Sequence, residues 1–238
     1  MCKAGFDKKG NIKLGGKMYT FSKLYGNQEH YIKNLGMFVC GSCGSFCNGC
    51  KEKCYVKASY RYGSVIYKHA VNTLAMRNDM TGLFSNLDMT IKRAKNKPEQ
   101  VRINQSGEIE SRKEFSYWCD LAGNYPAIKF YLYTKAFKYV VPEILERWNA
   151  GTLPENMTIN ISVWHGYGIR EFNQVEKIPN VKAFVYMDGF DYAAAGLDIT
   201  THCMAYQNGK LNHNITCDKC GKCFSRRKTD KVIGCHEH

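Results

Sequence analysis

The chain has 238 residues, 44% of them hydrophobic, which is enough for one substantial core or for one core with a small appended module. No run of about 18 apolar residues occurs to suggest a membrane-spanning helix, and the basic, polar residues 1–17 lack the apolar stretch of a secretory signal, so a cytoplasmic location is expected. The net charge of +13, from 34 Lys and Arg against 21 Asp and Glu, suits a polyanionic partner such as nucleic acid but carries no information about fold.

In chain order, residues 36–39 read as a first strand, followed by a cysteine-rich loop and then a helix over 55–79. A second helix is expected over 81–95 and a strand over 100–104, ending in Ser106-Gly107-Glu108. The alternation continues with a helix at 112–122, a strand at 128–134 and a helix at 140–148 that Gly151 stops. A strand at 157–164, a short helix at 170–177, a strand at 181–186 and a sixth strand at 199–204 complete the series. Strands and helices at this spacing predict βαβ units: an α/β fold, a partial (β/α) barrel of about six parallel strands. From residue 206 the composition turns to Asn, Lys, Gly and Cys, too poor in apolar side chains for a core of its own. Residues 1–205 therefore read as the partial barrel and 206–238 as a cysteine-rich, metal-binding extension.

Twelve cysteines decide the chemistry. In a reducing compartment they point to metal or redox centres, not to a disulfide framework. They are also clustered: five lie from Cys40 to Cys54, another group runs from Cys203 to Cys235, and only Cys119 lies between. Cys2 and Cys119 read as a terminal thiol and a small core residue.

Cys217, Cys220 and Cys223 form a C-x2-C-x2-C run, a compact spacing suited to three corners of a [4Fe–4S] cube, with Cys203 as the expected fourth ligand. Cys235, His236 and His238 compete for that corner, and structural zinc held by a C-x2-C pair with Cys235 and His238 is the alternative. The first group allows two registers. Cys43, Cys47 and Cys50 give C-x3-C-x2-C, similar to radical S-adenosylmethionine (SAM) enzymes, although Gly49 stands where those enzymes usually carry an aromatic residue. Cys43, Cys50 and Cys54 give the other, with Tyr55 directly after the last cysteine. Either loop follows a strand and so lies at the C-terminal mouth of the sheet, where barrel active sites form.

Cys43-x6-Cys50-x3-Cys54-Tyr55, Arg102-x3-Ser106-Gly107-Glu108, Tyr133-Thr134-Lys135 and Cys203 with Cys217-x2-Cys220-x2-Cys223 together resemble the bacteriophage gene-product-eighty-eight family. The resemblance runs from about Cys40 to the end of the chain and implies a phage or prophage origin, hence a host cytoplasm. It also favours Cys43, Cys50 and Cys54 as the first ligand set. The chain departs from the family pattern in carrying Glu108 where Asp is usual, and in the additional Cys40 and Cys47. The order of cysteine loop, Gly-acid turn and late cysteines is similar to radical SAM enzymes with an auxiliary cluster, a likeness at the level of fold.

The leading expectation is thus an enzyme with one or two [4Fe–4S] clusters that takes a small-molecule cofactor such as SAM and an electron donor. Ser106, Gly107 and Glu108 are the expected cofactor-binding turn, and Glu108, Tyr133, Lys135 and His165 the expected catalytic residues. The second expectation is a nucleic-acid-binding protein with structural clusters, suggested by Tyr60-Arg61-Tyr62 and by the basic run 224–228.

Overall fold

In the segment Met157–Val163, Thr, Asn and Ser alternate with Met, Ile, Ile and Val, yet all seven residues are buried. Successive side chains of a strand point to opposite faces. Both the apolar and the polar face of this strand must therefore be covered. The computed structural model shows by what; it describes residues 18–50, 54–204, 215, 220–225 and 230–236, and the two-residue strands 5–6, 12–13, 206–207 and 210–211.

The main sheet has strands β1 (Met18–Thr20), β4 (Gln100–Ile103), β5 (Lys129–Thr134), β6 (Met157–Val163), β7 (Val181–Tyr186), β8 (Thr201–His202) and β9 (Val232–Cys235). Strands β2 (Glu29–Ile32) and β3 (Met37–Cys40) form a separate antiparallel hairpin. The seven sheet strands lie in the order β1-β4-β5-β6-β7-β9-β8 and all their pairings are parallel. Five successive strands are thus neighbours in space, with helices between them: α1 (Gly63–Asn78) and α2 (Met80–Arg93), then α3 (Arg112–Asn124), α4 (Phe137–Asn149) and α5 (Ile169–Val175). This is the winding of a (β/α) barrel, here an open sheet with β1 and β8 at its edges.

Three expectations change. The first strand of the main sheet is Met18–Thr20, and residues expected as that strand belong to the hairpin. Three residues are too few to show a period. The expected helix over 55–79 is two elements, a 3-10 stretch Tyr55–Arg61 and α1. The sheet has seven strands instead of about six, because Val232–Cys235 runs between β7 and β8. The segment expected as a separate extension from 206 thus supplies an inner strand of the sheet.

The helix-facing side carries Val101, Ile103, Phe130, Leu132, Ile159, Ile161, Val181, Ala183 and Val185, fully buried in one core with Phe115, Trp118, Val140 and Ile144. Removing such surface from water is the main term holding helices to sheet. Cys119 lies in this core, and burial pushes its thiol up to about 12. The inner face is polar and aromatic, and the C-terminal segment covers it. Phe224 packs on Tyr131 with ring centroids 5.0 Å apart. Asn160 donates to the carbonyl of Cys223 at 3.1 Å, and Lys182 donates to that of Lys222 at 2.7 Å. Burial pulls the Lys182 ammonium down to about 8.

His69 gives the fold an acid-sensitive point. It is buried in α1, with Nδ1 3.2 Å from the Tyr60 hydroxyl, and burial, aided by the Lys68 charge, pulls its pKa from 6.5 to about 4. Between those values the unfolded chain holds more protons than the folded one. Its contribution is therefore complete above pH 6.5 and is lost as pH falls towards 4, on the order of 3 kcal/mol in all. Urea midpoints at pH 7.5 and 4.5 should differ accordingly, and His69→Gln should shrink the difference.

Candidate functional site

After β1 the chain does not leave the sheet freely. Lys23 is completely buried, and its Nζ donates to both carboxylate oxygens of the equally buried Glu114 at 2.8 Å. Glu110 joins at 3.4 Å and pairs in turn with Arg77 at 2.6 Å. Arg77 also donates to the carbonyls of Cys40 and Gly41, at 3.0 and 3.3 Å. One ionic network thus ties β1, α1, α3 and the start of the cysteine loop together. Such a device holds geometry better than it adds net stability.

The loop is fixed a second time by the turn after β4. Ser42, next to Cys43, donates to the Leu24 carbonyl at 2.8 Å and accepts from the Glu108 amide at 3.0 Å. Gly107 lies against this contact with φ +81°, and a Cβ there would sit 2.4 Å from Ser42 Oγ and 2.8 Å from Lys23 Cβ. The glycine of the expected cofactor-binding turn is also required by the packing of the cysteine loop. Gly107→Ala should cost about 2 kcal/mol or more, read as a lowered denaturation midpoint.

Both cysteine groups open onto one cavity of about 450 Å³ at the C-terminal mouth of the sheet. Cys43, Cys50 and Cys54 from the first group and Cys203, Cys220, Cys223 and Cys235 from the second line it. Among the described residues, no three His, Cys, Asp or Glu side chains come close enough to hold a single metal ion. The thiols are neighbours nonetheless. The Cys203 thiol contact, followed by burial and the nearby Cys223, raises the Cys235 pKa strongly. Burial raises that of Cys54, with Cys50 adding to the rise and Lys135 opposing it.

The other expected residues divide. Ser106, Gly107, Glu108, Tyr133 and Lys135 line the cavity. Burial raises the Glu108 pKa, while hydrogen bonds from Lys135 N (2.7 Å), Ile109 N (3.0 Å) and Thr134 Oγ1 (2.8 Å) oppose that rise. Three of about four acceptor positions of its carboxylate are thereby taken by its own surroundings. Tyr133 meets Phe184 edge-on at 4.9 Å and carries the Arg102 guanidinium 5.2 Å from its ring. Lys135 Nζ is 5.8 Å from the Trp164 ring centroid. His165 is not brought into this group: it is exposed, in a turn with φ 44°, against Trp164 and Tyr186. Of Cys47 only the backbone is described. Cys2, Cys217, His238 and the basic residues 226–228 lie outside the described residues.

Two further residues line the cavity, His236, which the sequence offered as a competing ligand, and Asn104, which it did not single out. His236 has its Nδ1 2.6 Å from Asp188 Oδ1. A carboxylate in that position orients an imidazole and leaves Nε2 to meet a partner. The sequence placed Asn104 only as the last residue of the expected strand 100–104.

The chain belongs to the gene product 88 family. That family's model, gene product 88, matches residues 6–226. The gene product 88 match takes in the whole first cysteine group, the turn after β4 and the late cysteines as far as Cys223; Cys235 and His236 lie beyond it. No curated protein and no solved structure matches the chain.

Proposed function

We propose that this chain is an iron–sulfur protein of phage or prophage type that holds two [4Fe–4S] clusters in one cavity and uses them as an enzyme of the radical SAM kind. The observation that carries the reading is the meeting of two cysteine groups, more than 140 residues apart in sequence, on the walls of one cavity. A tetrahedral zinc ion needs its ligands within about 2.3 Å of a single point. Thiols spread around a cavity fit a polynuclear cluster better, because bridging sulfides hold the irons, and hence the protein ligands, further apart.

The donor set fits chemically as well. Thiols that raise one another's pKa are short of positive charge, and a metal centre supplies it by binding them as thiolates. Cys43, Cys50 and Cys54 would hold the first cluster, three ligands that leave one iron for a small molecule. Cys203, Cys220, Cys223 and Cys235 line the wall where the second would bind, with Cys217 as a further donor from the same run. Such clusters supply one-electron chemistry. The chain's own residues shape the surroundings: Lys135 offsets thiolate charge beside Cys54, and Tyr133, Phe184, Trp164 and Tyr186 give a mainly apolar wall. Asn160 and Lys182 pin the second cysteine segment to the sheet.

The likeness to radical SAM enzymes is supported by the cysteine loop after the first strand and by the barrel-like order of successive strands. EPR spectra of the reduced, anaerobically reconstituted protein, with and without SAM, test it. A SAM-dependent change in the first cluster's signal is expected. An unchanged signal from a fully loaded protein would leave electron transfer or structure as the clusters' role.

A further inference from the structure

The hairpin beside the main sheet has two unlike faces. Side chains alternate along a strand, so His30, Ile32 and Val39 point one way and Tyr31 and Phe38 the other. Ile32 and Val39 are buried in a small core with Leu24 and Ala70, against which Tyr60, Ile66 and Leu74 pack. That inward face fixes the hairpin to α1 and to the 3-10 stretch before it. On the outward face Tyr31 and Phe38 stand directly opposite each other, with ring centroids 5.1 Å apart, and are 58% and 63% exposed.

Exposed rings gather in this part of the chain. Among the described residues nine large hydrophobic side chains are exposed, and six of them, five aromatic, lie from Tyr31 to Tyr67. Apolar groups clustered at a surface mark interaction sites, and the surrounding charge narrows the kind of partner. Residues 30–78 carry seven Lys and Arg against one acid, Glu52. Lys33, at the hairpin tip, is exposed. Arg61 and Tyr62 are exposed as well, with the guanidinium 4.9 Å from the ring centroid. A lipid surface is matched by aliphatic side chains, whereas the exposed apolar groups here are mostly flat rings beside cations. Rings and cations together suit unpaired bases on a phosphate backbone, since every base has a face to stack and every phosphate a charge to meet. A duplex keeps its base faces inside its own stack.

We propose that the outward face of the hairpin, together with Arg61 and Tyr62, binds single-stranded nucleic acid. Bases stack on Tyr31 and Phe38, and phosphates meet Lys33 and Arg61. Two rings that the sequence offered for this task are turned inward. Tyr60 packs on Tyr25, His30 and His69, and Phe224 is buried against Tyr131. The inference is independent of the clusters.

The test is fluorescence anisotropy of the anaerobically prepared full chain with labelled oligothymidine and oligouridine strands and with a duplex of the same length. The single strands should bind more tightly than the duplex. Tyr31→Ala/Phe38→Ala should weaken their binding about 10-fold or more. Lys33→Ala and Arg61→Ala should each lower the slope of log affinity against log salt by about 0.7. All four positions are exposed, so the urea midpoints should match the parent's. Tyr31→Leu/Phe38→Leu, which keeps apolar bulk without a ring, serves if the alanine pair is less stable. No binding at low salt, equal affinity for the duplex, or full affinity in the ring variants would overturn the proposal. Capture by anionic phosphatidylserine vesicles in place of the strands would assign the face to a lipid surface and overturn it too. Iron counted in the same samples separates this inference from the cluster reading. Iron-loaded protein that ignores the strands would sink this inference alone, whereas ring-dependent binding by iron-free protein would uphold it and sink the cluster reading.

Discussion

Lys23→Met should lower the unfolding free energy by about 3–5 kcal/mol, the usual result of leaving a buried charge without its partner. Glu114 has no exposed surface, and among the described residues its carboxylate accepts from Lys23 Nζ and from the Glu110 amide. Without the ammonium, a carboxylate remains in a core built around Phe21, Phe115 and Trp118. For a chain of this length the shift in Tm should be on the order of 10 °C. The double variant Lys23→Met/Glu114→Gln should recover much of the loss, since no unpaired charge then stays inside. Equilibrium denaturation of the two variants and the parent makes the comparison. A single variant as stable as the parent would show that the network does not hold the loop as described.

Cys54→Ser and Cys223→Ser should each strip the protein of one cluster, about four irons. The two residues belong to different cysteine groups lining the cavity, so the lost irons should belong to different centres. Cys119→Ser is the control. That thiol is in the helix–sheet core, and its replacement should reduce stability while leaving iron content unchanged. Iron determinations on the three variants after identical reconstitution read out the pattern. Asn160→Leu and Lys182→Met should act more gently. They loosen the segment that carries Cys223 and should hasten iron loss to a chelator without abolishing loading.

The sequence made the middle of the fold legible and its ends obscure. Val181–Tyr186 matches the expected strand residue for residue, and α2, α3 and α4 lie within three residues of where they were expected. Those elements are long enough for a period to register. Met18–Thr20 and Val232–Cys235 are not, and each becomes a strand only because the sheet offers it neighbours. The hairpin arm Met37–Cys40 looked like a sheet strand because it is apolar, yet Phe38 is 63% exposed.

The clustered cysteines raised the expectation of a metal chemistry, but nothing in the sequence showed the two groups sharing a cavity. That meeting depends on β9 returning to the sheet interior and carrying Cys235 beside Cys203. Gly107 stood out in the sequence as part of a turn lining the cavity, but its close packing on Ser42 and Lys23 could not be read there. Lys23 and Glu114 escaped notice because a lysine and a glutamate some 90 residues apart look like ordinary surface charges until they meet inside.

Iron and acid-labile sulfide counted per chain in protein purified without oxygen, alongside its visible spectrum, is the most direct test. Two cubane clusters predict about eight of each per chain, with a brown colour that bleaches on reduction. Folded, colourless protein with no iron would contradict the proposal that these thiols hold clusters.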